Sequence, residues 1–122
     1  MGSPDTACDL ILFGAMGDLA SKKLFPALYQ LHRADLLSPG TRILALARRG
    51  YTLEEAREAV RERLEEKLDP AEITPATMES FLARVWYENL DFSSREGYQA
   101  LEKWRQEGPA ENCLILYYAT PP

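Results

Sequence analysis

Two glycines three residues apart carry the clearest chemistry in this chain. Residues 10–20 read Leu-Ile-Leu-Phe-Gly-Ala-Met-Gly-Asp-Leu-Ala. An apolar strand that passes through a glycine turn into a helix makes a phosphate cradle. The first helical N–H groups have no intrahelical partner, and the helix dipole adds partial positive charge there. Gly14 permits the tight turn, Gly17 lacks the Cβ that would keep a pyrophosphate off the backbone, and Ala20 lets the helix pack close to the strand. Ala15, Met16, Asp18 and Leu19 complete the run. The spacing is Gly-x-x-Gly-x-x-Ala, not Gly-x-Gly-x-x-Gly. The pattern alone therefore also fits an ordinary strand-to-helix turn capped by Asp18.

A second run points the same way. Residues 42–49 read Arg-Ile-Leu-Ala-Leu-Ala-Arg-Arg, an apolar strand closed by Arg48 and Arg49, with no acid until Glu54. In a dinucleotide fold this strand end meets the adenosine ribose. An acid there accepts from a 2′-hydroxyl and selects NAD, whereas an arginine pairs with a 2′-phosphate and selects NADP. The bland alternative is a solvated basic strand end. The offset from Gly17 exceeds the usual value of about 20 residues. The helical stretch from 18 and the Ser-Pro-Gly turn at 38–40 account for the excess.

These runs need elements to hold them. The pattern predicts strands at 8–13, 42–48, 85–90 and 113–119, and helices at 18–36, 53–68, 75–84 and 94–107. Pro26 interrupts the first helix and suits the first position of its second piece. Thr52 with Glu55, and Ser93 with Glu96, have capping-box spacing; Thr74-Pro75 is a helix start, and Gly108-Pro109 a helix stop. Alternating strands and helices imply an α/β fold, a doubly wound parallel sheet in the order 3-2-1-4. The last strand, Cys113-Leu-Ile-Leu-Tyr-Tyr-Ala, is apolar on both faces as a central strand is, yet lies at an edge, so self-association through it is expected. The charged helix from Leu53 to Leu68 reads as a solvated outer face with i,i+4 pairs.

Composition sets the bounds. The 122 residues make one domain, 46% apolar, with a net charge of −5. That charge argues against a nucleic-acid partner. No apolar run reaches membrane-spanning length and no secretory leader is visible, so a cytoplasmic protein without membrane contact is expected. Cys8 and Cys113 read as buried free thiols in a reducing compartment, and no metal-ligand spacing is present. His32, the only histidine, has no partner carboxylate at a motif spacing and reads as an exposed helical residue without a catalytic role.

The Gly14-Ala15-Met16-Gly17-Asp18-Leu19-Ala20 run followed by Lys23-Leu24-Phe25-Pro26-Ala27-Leu28 resembles the N-terminal signature of the glucose-6-phosphate dehydrogenase family. Ala47-Arg48, Asn89-Leu90-Asp91, Gly97-Tyr98 and Tyr117-Tyr118-Ala119-Thr120-Pro121-Pro122 extend the resemblance from Cys8 to the last residue. The resemblance implies a Rossmann-like NAD(P)-binding fold, truncated here to four strands, with the catalytic α+β domain absent. It implies oxidation of glucose 6-phosphate to 6-phosphogluconolactone with hydride transfer to NADP, in the oxidative pentose phosphate pathway. It implies pyrophosphate binding by residues 14–20, a 2′-phosphate contact for Arg48, and adenine flanked by Arg49. Asp91 and Phe92 then lie on the adenosine side, Ala119 to Pro122 (Pro121 among them) border the nicotinamide, and Lys23 reaches the substrate phosphate. A surface helix lysine is the competing reading of Lys23. Met16 stands where the family commonly has Ser or Lys, which removes a side-chain hydrogen bond but not a backbone contact.

The family's Glu-Lys-Pro-x-Gly and Asp-His-Tyr-x-Gly-Lys motifs, the second carrying the catalytic base, do not occur in these residues. No catalytic residue is assigned, and the chain alone is expected to be inactive as a dehydrogenase. The parent protein is expected to be a homo-oligomer. Two alternatives are an adenosyl-ligand fold of methyltransferase type, which wants an acid at the second strand end, and a nucleotide-sensing module without activity.

Overall fold

The structure is a computed structural model, and it describes residues 7–13, 23–47, 50–89, 95–109 and 112–118. Its elements are β1 (Cys8–Phe13), α1 (Phe25–Arg33), β2 (Arg42–Ala47), α2 (Leu53–Lys67), α3 (Pro75–Leu82), β3 (Val85–Asn89), α4 (Arg95–Gln106) and β4 (Cys113–Tyr118), with a short 3₁₀ turn at Pro70–Glu72 before α3. The strands form one parallel sheet, as the alternation of elements predicts, in the order β3-β2-β1-β4 of the dinucleotide-fold pattern.

Period-two alternation sends neighbouring residues of β1 and β2 into different cores. Leu12, Ile43, Ala45 and Val85 join Phe25, Leu28 and Tyr29 of α1, Val60 and Leu64 of α2, and Met78 and Phe81 of α3 on one face. Ile11, Phe13, Leu44 and Leu46 meet Trp104 of α4 on the other. Helices on both faces make the sheet doubly wound, and β2 is buried from Ile43 to Ala47. The outer stripe of α2 is solvated, as its charge pattern predicts. Its recorded ion pair is Arg61–Glu58 at i,i+3, 3.3 Å apart, not i,i+4.

Local signals set the helix starts. The Thr52 hydroxyl accepts from Glu55 N at 3.1 Å, and the Glu55 carboxylate accepts from Thr52 N at 2.9 Å. Thr74 caps α3 through Thr77 N, with Pro75 at its start. Pro26 sits in the first turn of α1. That helix stops at Arg33, short of the expected residue 36, because Asp35 turns left-handed at φ 58° and Leu36 N reaches back to Leu31 O at 2.8 Å. Residues 18–22 and Ser93 lie outside the described residues.

The expectation of free thiols is wrong. β4 pairs with β1 so that Cys113 stands opposite Cys8, their Cα atoms 4.4 Å apart, and the two form a disulfide. Register puts both side chains on one face of adjacent strands, within bridging distance. Neither is deeply buried. The argument from thiols to a reducing compartment falls with it. β4 does lie at the sheet edge, with Leu114, Ile115, Leu116 and Tyr117 exposed.

Candidate functional site

Parallel pairing gives the strands a common carboxyl edge, at Phe13, Ala47, Asn89 and Tyr118. From β1 the chain builds outward through β2 to β3, and β4 returns to the opposite side of β1. The crevice beyond β1 and β4 is therefore the topological switch point, where open α/β sheets bind ligands. Gly14 follows Phe13 in the chain, Arg48 follows Ala47, and Ala119 follows Tyr118. The candidate residues at 14–20, 48–49, 91–92 and 119–122 themselves lie outside the described residues.

Lys23 is described. It is exposed, two residues before α1. Leu24 already has helical angles (φ −72°, ψ −46°), no side chain caps the helix there, and its first turn holds no acid. The start of α2, reached directly from β2, is the opposite: closed by the capping box and carrying Glu54 and Glu55. By the helix dipole alone, a first turn without acids favours an anion and one carrying Glu54 and Glu55 opposes it.

Two side chains near the end of β2 escape a motif search. The Tyr87 hydroxyl donates to Ala47 O at 3.5 Å, and its ring meets that of Tyr51 edge to face at 5.7 Å. Both rings are half-buried, and together they steady the last described residue before Arg48. The available signal was strand alternation, which places Tyr87 on the same face as Val85.

The opposite, amino edge holds the buried charge. Asp9 is 0% exposed. Its carboxylate accepts from Arg42 Nε at 2.9 Å and Nη2 at 2.7 Å, from Arg105 Nη1 at 2.8 Å, and from Asn112 Nδ2 at 2.9 Å. Burial pushes its pKa up, but the bonds from Arg42, Asn112 and Arg105 outweigh that and hold it below the ordinary 3.8. Arg42 also stacks 3.8 Å from the Trp104 ring centre. Gly108 lies beside it, where an added Cβ would meet the Arg42 guanidinium and displace it.

His32 is not an exposed helical residue. It is half-buried, its ring 5.6 Å from that of Phe81. Arg84 Nε donates to His32 Nδ1 at 3.0 Å, and His32 Nε2 lies 2.7 Å from Ser80 Oγ. A guanidinium only donates, so Nδ1 is unprotonated and Nε2 carries the hydrogen. Burial and then the Arg84 charge lower its pKa below 6.5. A catalytic histidine of the triad kind is oriented by a carboxylate, whereas here the Arg84 cation occupies that place. These side chains line an open cleft of about 510 Å³ with Thr41, Trp86 and Pro109. Its polar groups are engaged within the protein: Arg84 Nη1 also donates to Ser38 O and Thr41 O, at 2.8 and 2.9 Å. The described residues contain no cluster able to hold a metal ion, and none of their helices is long and apolar enough to cross a membrane.

The family profile for "Glucose-6-phosphate dehydrogenase, NAD binding domain" matches residues 11–122. Among similar proteins, a glucose-6-phosphate 1-dehydrogenase of Dickeya dadantii is 40% identical over 120 residues, covering 95% of this chain and 23% of the relative. A chloroplastic one of Solanum tuberosum is 32% identical, covering 100% of this chain and 22% of its own. A solved glucose-6-phosphate dehydrogenase in complex with its substrate glucose-6-phosphate aligns with a TM-score of 0.85 at 36% identity, over 100% of this chain and 26% of that one. The chain thus spans about a quarter of the length of the proteins it matches.

Proposed function

Because the chain belongs to the glucose-6-phosphate dehydrogenase family, as its NAD-binding domain, we propose that it holds NADP at the switch point beyond β1 and β4. There it serves the oxidation of glucose 6-phosphate by a longer, homo-oligomeric protein. The observation that carries this reading is the strand order β3-β2-β1-β4, which puts the end of β1 at the centre of the ligand-binding edge. When bound, the nicotinamide supplies the hydride acceptor. The chain's own residues bind and orient it. The residues at 14–20 receive the pyrophosphate on backbone N–H groups, and Gly17 keeps that approach open. Arg48 pairs with the 2′-phosphate, Arg49 flanks the adenine, and Asp91 and Phe92 lie on the adenosine side. Ala119 and Pro121 border the nicotinamide, and Lys23 reaches towards the sugar phosphate. The base that takes the sugar hydroxyl proton comes from residues beyond these. A phosphorylated sugar is an intracellular substrate, and on that ground we place the protein in the cytoplasm. The adenosyl-ligand and sensor alternatives are not favoured, since the relatives are dehydrogenases and the strand-end acid that an adenosyl ligand wants is missing.

The test is a thermal-shift panel of NADPH, NADH and S-adenosylmethionine on the chain and on Gly17→Val. NADPH should raise the melting temperature most, and the variant should fold yet lose that rise. An equal response to all three ligands, or an unchanged NADPH shift in Gly17→Val, would reduce the glycine turn to a structural feature.

A further inference from the structure

We propose that His32 is a proton-operated latch: its neutral ring holds the Arg84 side chain across the turn that leads into β2, and its protonated ring releases that turn. Arg84 directly precedes β3, and the turn directly precedes β2, so the device lies towards the amino ends of the strands and not at the proposed cofactor.

The hydrogen bonds around the ring run in one direction. Arg84 Nε donates to His32 Nδ1 at 3.0 Å. Ser80 Oγ donates to Thr77 O at 3.0 Å, so the hydroxyl offers a lone pair to His32 Nε2, 2.7 Å away. Nε2 therefore carries the ring hydrogen, Nδ1 carries none, and both nitrogens are engaged. A second proton has one place to enter, the Nδ1 that accepts from Arg84. It turns that acceptor into a donor and sets an imidazolium against a guanidinium. The charges acting on the ring are Arg84, which opposes protonation, and Asp35 just beyond α1, which favours it. Neighbouring Arg33 faces Glu72 at 3.6 Å. α3 meets the ring with Ser80 and Phe81, neither of them charged. Arg42 of β2 lines the same cleft but is bound to Asp9.

Arg84 is built to pass this change on. Its backbone is pinned on both sides, since Arg84 N donates to Phe81 O at 2.9 Å and Ile43 N donates to Arg84 O at 2.8 Å. Only the side chain is left to retreat. Its Nη1 donates to Ser38 O and Thr41 O, at 2.8 and 2.9 Å. Ser38 and Thr41 are buried, so the turn must shift before water replaces the lost donor. The turn also holds the start of β1, because Thr41 Oγ1 accepts from Cys8 N at 3.2 Å. One proton on α1 thus reaches the starts of β2 and β1. Gly40 O keeps its bond from Asn112 Nδ2, so the turn loosens without leaving.

The experiment is amide hydrogen exchange on the 122-residue chain, read as protection factors so that the intrinsic pH dependence of exchange cancels. Thr41 N donates to Ser38 O inside the turn and is the reporter. Its protection should fall about tenfold between about pH 7.5 and about pH 5.5, because the open ring titrates near 6.5 and the closed ring below it. The opening should be local, with Thr41 less protected than the ladder amides of β1 and β2 and insensitive to urea below the unfolding transition. His32→Gln keeps an oxygen for Arg84 but does not titrate, so it should retain the protection seen at high pH and lose the response. Arg84→Lys lacks the fork that spans ring and turn, so its Thr41 protection should be low at both pH values. Nitrogen chemical shifts of the ring should place the hydrogen on Nε2 at high pH. Equal Thr41 protection at both pH values, a full response in His32→Gln, or the hydrogen on Nδ1 would overturn the latch. A loss that matches the ladder amides and steepens with urea would overturn it too, since acid would then be unfolding the whole chain.

Discussion

The two edges of this sheet are built on opposite rules. At the amino edge, charge is consumed inside the protein. Asp9 is fully buried and accepts bonds from Arg42, Arg105 and Asn112, and Arg84 donates to His32 and to two backbone carbonyls. At the carboxyl edge, the described groups leave capacity for a ligand. The first turn of α1 has neither acid nor side-chain cap, and Lys23 before it is exposed. Both edges hold cationic side chains, so residue type does not tell them apart. What differs is whether a buried carboxylate is present to neutralise the cations. Buried charge is concentrated at one edge and the proposed ligand chemistry lies at the other, so the two should be separable by mutation.

The largest expected effect is at Asp9. Asp9→Ala leaves the guanidinium groups of Arg42 and Arg105 and the amide of Asn112 without their shared acceptor. Breaking a buried charged network from one side costs about 3–5 kcal/mol. Urea unfolding should show that loss while NADPH affinity of the folded fraction stays within about twofold, a change of roughly 0.4 kcal/mol. A parallel collapse of affinity would erase the distinction between the edges. Arg48→Ala should do the reverse. Losing a charge-assisted phosphate contact costs about 1.5–3 kcal/mol of NADPH binding, or tenfold and more, with NADH binding and melting temperature nearly unchanged. Calorimetric titration giving equal losses for both cofactors would remove Arg48 from the 2′-phosphate.

Gly108→Ala sharpens the picture of the amino edge. Its Cβ would displace the Arg42 guanidinium, an overpacking that costs about 1–3 kcal/mol by denaturant unfolding. A neutral result would mean that Arg42 has room to retreat. The smallest effect is in pH. The His32 pKa is lowered in the folded chain, so above 6.5 the residue is neutral in both states; as pH falls below 6.5 the unfolded chain takes the proton first and stability declines. Asp9, also lowered, adds a further loss as pH drops through 3.8 and below. His32→Gln should flatten the first decline and leave the second. A variant with the same pH profile as the parent chain would remove His32 from that titration.

Much of this molecule was legible before any coordinates. The apolar run from Leu10 to Phe13, the alternation in residues 42–47, the Thr52/Glu55 box, Thr74-Pro75 and Pro26 act through neighbours a few residues away. Local sequence therefore determines them. Element order and crossover handedness imply a parallel, doubly wound sheet but leave more than one strand order open, and the order β3-β2-β1-β4 follows from the dinucleotide-fold pattern. The candidate ligand runs, glycines and arginines that follow strand ends in the chain, were read from the sequence in the same way and lie outside the described residues. Tertiary structure alone decided which distant side chains share an edge. Asp9 meets Arg42, Arg105 and Asn112 across separations of 33, 96 and 103 residues. Cys8 meets Cys113 because parallel pairing sets them opposite each other. His32 is half-buried because α1 packs against the end of α3 and Arg84 follows it. Periodicity reports which face of its own element a residue occupies. It carries no information about the partner strand's register, and register is what turned two apparent thiols into a bond and placed Asp9 at the buried centre of a network.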